Sequence, residues 1–136
     1  MVQIQPLLLW LGHVGDCRDF GRLADAGIEA VVQLATEEPQ VNLPREFLVF
    51  RIPLHDGAGN GTTNLRLAVE TVANLLRNQI PTLVCCSAGA SRSPAIASCA
   101  LAIVQNRSSS ECLRHVSEFH KTDVSPGLWK DLLDLF

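Results

Sequence analysis

The chain has 136 residues, 47% of them hydrophobic, and a formal charge of -3, which is room for one compact unit with its own core. That charge, with a pI of about 5.7, excludes a broad nucleic-acid or anionic-membrane surface, because both need clustered Lys and Arg to displace counterions. Any anion site must therefore be local.

The apolar run at residues 7–11 has no Lys or Arg before Arg18, so it lacks the basic region of a secretion signal and reads as a first strand over residues 6–12. In "DCRDFGRLADAG", Phe20, Leu23 and Ala24 fall at helical spacing, with Asp16 placed as the N-cap and Gly27 as the stop. "IEAVVQLA" is a β-branched run bounded by that glycine and the polar "TEEPQ", which predicts a buried strand. "FLVFRIPL" supplies a third strand, and the three glycines of "HDGAGNGTTN" mark a loop. Over residues 62–78, Leu65, Val69, Val72 and Leu76 trace one apolar helix face, with Ala68 and Leu75 beside them. Pro81 then opens the strand "TLVC". Helices follow at 92–106, 109–121 and 127–135, the second capped by Ser108 or Ser109 and the third started by Pro126.

Strands alternating with helices predict an α/β fold, a mainly parallel central sheet flanked by helices, built as a single domain over residues 1–136. The apolar stretch 95–104 is too short to span a bilayer and carries Ser98 and Cys99, so it reads as a buried helix. A cytoplasmic, monomeric protein without nucleic-acid or membrane partners is the expectation.

Cysteines stand at 17, 85, 86, 99 and 112. They form no CxxC pair and have no His pair nearby, so structural zinc is not expected, and an odd count fits a disulfide framework poorly. A vicinal Cys85–Cys86 bridge would need a strained ring. Buried thiols and reactive thiols remain. Strand periodicity turns Cys85 away from Cys86 and makes it a small buried side chain, as Cys17, Cys99 and Cys112 are expected to be.

"VCCSAGASRS" stops an apolar strand on a double thiol and continues with small residues into a helix. Such a junction lets successive backbone N–H groups surround an anion, with the helix N-terminus adding partial positive charge. Gly89 can take the conformation a tight loop needs, Pro94 suits the first helical turn, and Arg92 can grip two oxygens of a tetrahedral oxyanion. A thiol at the base of this cup is held as the thiolate by the same donors. In α/β sheets ligands bind beyond the carboxyl ends of the strands, where this segment lies.

The spacing Cys86-x5-Arg92-Ser93 resembles the signature of protein tyrosine phosphatases, and the chain as a whole resembles their small dual-specificity branch. "LLLWLGHVGDCRDFGRLADAGIEAVVQLATEE" is similar to that branch's opening, "FRIPLHD" to its general-acid segment and "RSPAIASCALAIV" to its central buried helix. The resemblance implies a phosphomonoester hydrolase without metal or cofactor. Cys86 would attack phosphorus, and Ser87, Ala88, Gly89, Ala90, Ser91 and Arg92 would bind the phosphate. Ser93 would hydrogen-bond the departing thiolate, and Asp56 would protonate the leaving oxygen and then activate water. Asp56 also forms an Asp-Gly pair, a common turn.

The family places His before the nucleophile, where this chain has Cys85, and that histidine orders the loop and favours the thiolate. Its replacement predicts slow turnover, or in the alternative a pseudophosphatase that binds phosphorylated partners without efficient turnover. Sulfur transfer, with a persulfide on Cys86, is a third reading. The chain has no tyrosine and no phosphotyrosine-recognition loop, so a shallow pocket is expected, open to phosphoserine, phosphothreonine, phosphotyrosine or a non-protein phosphate. Arg66 and Lys121 are candidates for holding substrate charge, and Asn60 and Asn64 for the start of the helix or the site rim. His55 reads as a loop residue, and His13, His115 and His120 have no evident partner.

Overall fold

A computed structural model describes residues 1–136. The strands are β1 (Val2–Gln3), β2 (Leu9–Gly12), β3 (Ala30–Ala35), β4 (Leu48–Leu54) and β5 (Thr82–Cys85). They form one sheet in the order β1-β2-β5-β3-β4, parallel except for the antiparallel β1–β2 pair. Helices α1 (Val14–Arg18) and α2 (Phe20–Asp25) cover one face; α3 (Thr62–Arg77), α4 (Arg92–Gln105), α5 (Ser109–Phe119) and α6 (Pro126–Leu135) cover the other. This is the predicted α/β architecture. No helix is long and apolar enough to cross a membrane.

The central strand shows why the sequence reads as it does. A parallel strand covered on both faces must be apolar on both. In β5, Leu83 and Cys85 join a small cluster with Cys17, Leu23 and Val31. Val84 and the following Cys86 join the main core of α3, α4 and α6. The two adjacent thiols therefore lie on opposite faces, as period two requires. Helix α4 is buried through its first ten residues and ends where Asn106 takes a left-handed conformation at φ 52°, a turn that Asn tolerates.

Two predicted elements differ. The strand expected over 6–12 begins only at Leu9, and residues before it make a hairpin turn from β1. Ile4 N–H donates to Leu9 O at 2.8 Å and Leu7 N–H to Ile4 O at 2.9 Å, while Pro6 has no N–H to offer a ladder. The helix expected from Asp16 to Gly27 is two helices. His13 caps α1, its Nδ1 accepting from Gly15 N–H at 3.0 Å, and Asp16 accepts from His13 N–H at 3.0 Å, a capping box built on histidine. Asp19 then caps α2. That break turns Leu23 into the core but leaves Phe20 56% exposed and Ala24 on the surface.

Candidate active site

Residues 86–91 join β5 to α4, and four of their carbonyls are fixed, three by neighbouring segments and one by α4 itself. Ser87 O accepts from Val14 N–H (3.1 Å), Ala90 O from Asp123 N–H (2.7 Å) and Ser91 O from Ala95 N–H (3.0 Å). Gly89 O lies 2.6 Å from His120 Nε2. A planar trans peptide points the next N–H opposite to each of these carbonyls. The amides of residues 87–92 find no acceptor in the chain, so the loop presents a set of free donors at the start of α4. Gly89 is required: it holds φ +84°, and a Cβ there would meet Gly12 O at 2.9 Å.

Arg92 is 4% exposed, and its five N–H donors can be accounted for one by one. Nη1 and Nη2 each reach an oxygen of Glu37 at 2.6 Å, an end-on bidentate pair. The other Nη1 proton goes to Leu54 O at 2.9 Å. What remains is the buried Nε–H, which has no partner, and the second Nη2 proton on the same edge of the guanidinium. Those two form the side-on fork, the arrangement that grips an oxyanion. Glu37 thus holds Arg92 in place without using the donors a ligand needs. The guanidinium in turn pulls the Glu37 carboxyl down from 4.5 to about 2.

The segment carrying Glu37 is itself pinned. Buried Gln33 bonds Pro39 O at 2.7 Å and Val41 N–H at 2.9 Å, and Arg51 Nη2 reaches Glu38 O at 3.2 Å. Glu38 accepts from Ser87 Oγ at 2.7 Å and pairs with Arg18 at 3.2 Å.

Asp56 follows β4 and stands over the cup, where Ser91 Oγ donates to its Oδ1 at 2.6 Å. The same Ser91 oxygen accepts from Ser125 N–H at 2.9 Å. Asn60 braces this loop through His55 N–H (2.7 Å), His55 O (3.0 Å) and Gly57 O (3.1 Å). Gly59 N–H docks it onto Asp131 of α6 at 3.0 Å, and Gly127 packs so closely that a Cβ would come within 2.9 Å of Ala58 Cβ.

A cavity of about 350 Å³ brings together Cys86, Ser87, Ala88, Gly89, Ala90, Ser91, Arg92 and Asp56, with Glu37 and Asp123 at its rim. Cys86 is 3% exposed. Ser93 is fully buried and its Oγ has no hydrogen-bond partner. Arg66 and Lys121 are exposed and do not line the cavity. Asn60 belongs to the loop carrying Asp56, whereas Asn64 bonds Pro53 O at 3.3 Å. Cys85 is packed against Cys17; the neighbouring thiol and burial push its own thiol far above the ordinary range, which disfavours the reactive thiolate. Cys99 and Cys112 are fully buried.

Glu37, His120, Asp123 and Ser125 went unrecognised in the sequence. The pair of acids directly after the buried strand β3 was the available signal. β3 lies beside β5 in parallel, so residues following both strands meet at one edge.

The family model of the dual specificity phosphatase catalytic domain matches residues 9–136, and the chain belongs to that family. Human DUSP28 superposes with a TM-score of 0.84 at 22% identity, over 98% of this chain and 94% of that one. A mouse putative dual specificity phosphatase complexed with zinc tungstate gives 0.85 at 22%, over 98% and 84%. The human tyrosine phosphatase-like serine/threonine/tyrosine-interacting protein gives 0.84 at 19%, over 99% and 94%. Comparison with curated proteins finds no match.

Proposed function

We propose that this chain hydrolyses phosphomonoesters through a phosphocysteine. The observation that carries the reading is the free side-on fork of Arg92 beside the unpaired amides of 87–92, with the Cys86 thiol among them. Cys86 Sγ attacks phosphorus while the P–O bond to the leaving group breaks and Asp56 gives that oxygen its proton. The amides and Arg92 hold the three equatorial oxygens and the charge that develops on them. Water then attacks the phosphocysteine, giving its proton to the Asp56 carboxylate; the S–P bond breaks and Ser93 Oγ–H stabilises the thiolate. The route calls on neither metal nor cofactor, and residues 1–136 act as one catalytic domain.

The test is hydrolysis of a small aryl phosphate across pH. A bell-shaped profile abolished by Cys86→Ser, and stripped of its alkaline limb by Asp56→Ala, is expected. Equal rates for the parent and Cys86→Ser would overturn the proposal.

Cys85 favours a second reading, in which the cup binds phosphorylated partners without efficient turnover. Its side chain packs on the opposite face and gives the loop no donor. A structural neighbour whose name describes a phosphatase-like interacting protein supports it. Oxyanion binding by the parent with no phosphate release at any pH selects this reading.

A further inference from the structure

We propose that the site prefers phosphomonoesters flanked by positive charge, such as a phosphopeptide with Arg or Lys beside the phosphorylated residue, and discriminates against polyanionic phosphates. This rests on the phosphate cup described above and concerns its rim. Three carboxylates, Glu37, Asp56 and Asp123, line the cavity against one cation, Arg92. The end-on face of Arg92 is already taken by Glu37, so the guanidinium must serve that carboxylate and the incoming phosphate together. Its buried, unpartnered Nε marks where the phosphate sits. The rim charges are therefore fixed around a known point.

Arg92 is the one Lys or Arg that lines the cavity. Arg18 is spent on Glu38 at 3.2 Å, Lys121 lies outside the cavity lining, and neither Asp56 nor Asp123 has a basic partner within 4.0 Å. His55 is close enough to Glu37 to lower its pKa, and His120 is committed to Gly89 O. Apart from Asp56, which carries the proton it donates, the half-shared Glu37, held as a carboxylate by Arg92, and the Asp123 side chain both face a bound dianion. A second phosphate or an acidic flank adds like charge within a Debye length of them; an Arg or Lys flank supplies the missing counter-charge.

The experiment compares kcat/KM for three synthetic phosphopeptides that differ only in their flanks, Arg, Ala or Glu, together with an inositol polyphosphate and the aryl phosphate. We expect the Arg peptide to exceed the Glu peptide by about tenfold at low salt, the gap closing as ionic strength rises. Asp123→Asn keeps the backbone N–H bond to Ala90 and should cut that ratio by about threefold, as loss of one rim charge requires. Equal values for the three peptides, or a preference for the Glu peptide or the inositol polyphosphate, while the aryl phosphate is turned over, overturns this inference and leaves the phosphatase reading intact. If the aryl phosphate is not turned over, the same peptides are titrated by fluorescence anisotropy against the parent protein. The same order of affinities supports the rim preference, and a flat series overturns it.

Discussion

Gly89→Ala tests the cup most directly. The loop holds φ +84° at this position, which costs a residue with a Cβ about 1–2 kcal/mol. The new methyl would stand 2.9 Å from Gly12 O, 3.0 Å from Gly12 C and 3.2 Å from His13 N, all backbone. Gly12 ends β2 and is paired with Cys85 across the parallel ladder, so it cannot retreat without breaking the strand. The clash adds about 1 kcal/mol or more, and the loop, held by fewer bonds, is the partner that moves. Displacing it re-aims the amides of Gly89 and Ala90, each worth about 1 kcal/mol to a bound oxyanion. The sum is about 2 kcal/mol, or roughly 30-fold weaker binding. Calorimetric titration with tungstate measures it, with urea unfolding alongside. Gly59→Ala is the control: φ there is +91° with nothing within 4 Å of the added Cβ, so only the backbone cost applies. A Gly89→Ala protein that binds tungstate within about threefold of the parent would refute the reasoning.

Substitutions at three further positions, two of them with a rescue variant, probe the supports. Glu37→Ala leaves the buried Arg92 without its end-on partner; urea unfolding should show a loss of about 1–2 kcal/mol, a figure discounted because half of the Glu37 side chain is exposed. The Glu37 carboxyl sits near 2 against an ordinary 4.5, so the parent's advantage is complete above about 4.5 and fades as pH falls towards 2. His120→Ala should weaken tungstate binding about fivefold by freeing the Gly89 carbonyl, and His120→Gln, whose amide can still donate, should recover most of the loss. Gly127→Ala brings a methyl to 2.9 Å from Ala58 Cβ and 3.1 Å from Ala58 N. Steady-state kinetics should show kcat reduced about tenfold with KM little changed, because the loop holding Asp56 is pushed from the cup while the phosphate donors stay in place; Ala58→Gly should restore part of it.

What the sequence made legible was what short-range chemistry encodes. Cys86, Gly89, Arg92, Ser93 and Pro94 lie within one strand-to-helix junction, and the conformational needs of that junction are written in adjacent residues. The apolar face of α3, with Leu65, Val69 and Val72 buried, follows in the same way from periodicity. Supports supplied from elsewhere were hidden, because a bond such as Arg92 to Glu37 spans 55 positions, and the acids of "TEEPQ" point to the site only once β3 is known to lie beside β5. His13 was hidden for another reason, since imidazole is outside the usual set of helix caps. His120 matters most to the question Cys85 raised. A histidine is absent from the position before the nucleophile, yet one reaches the loop from the end of α5, 31 residues away, and holds the Gly89 carbonyl at 2.6 Å. Together with Asp123 N–H on Ala90 O and Ser125 N–H on Ser91 Oγ, it orders three successive loop residues from outside. The loss of loop order expected from Cys85 is thus offset by a segment distant in sequence, and the comparison of His120→Ala with His120→Gln decides how far.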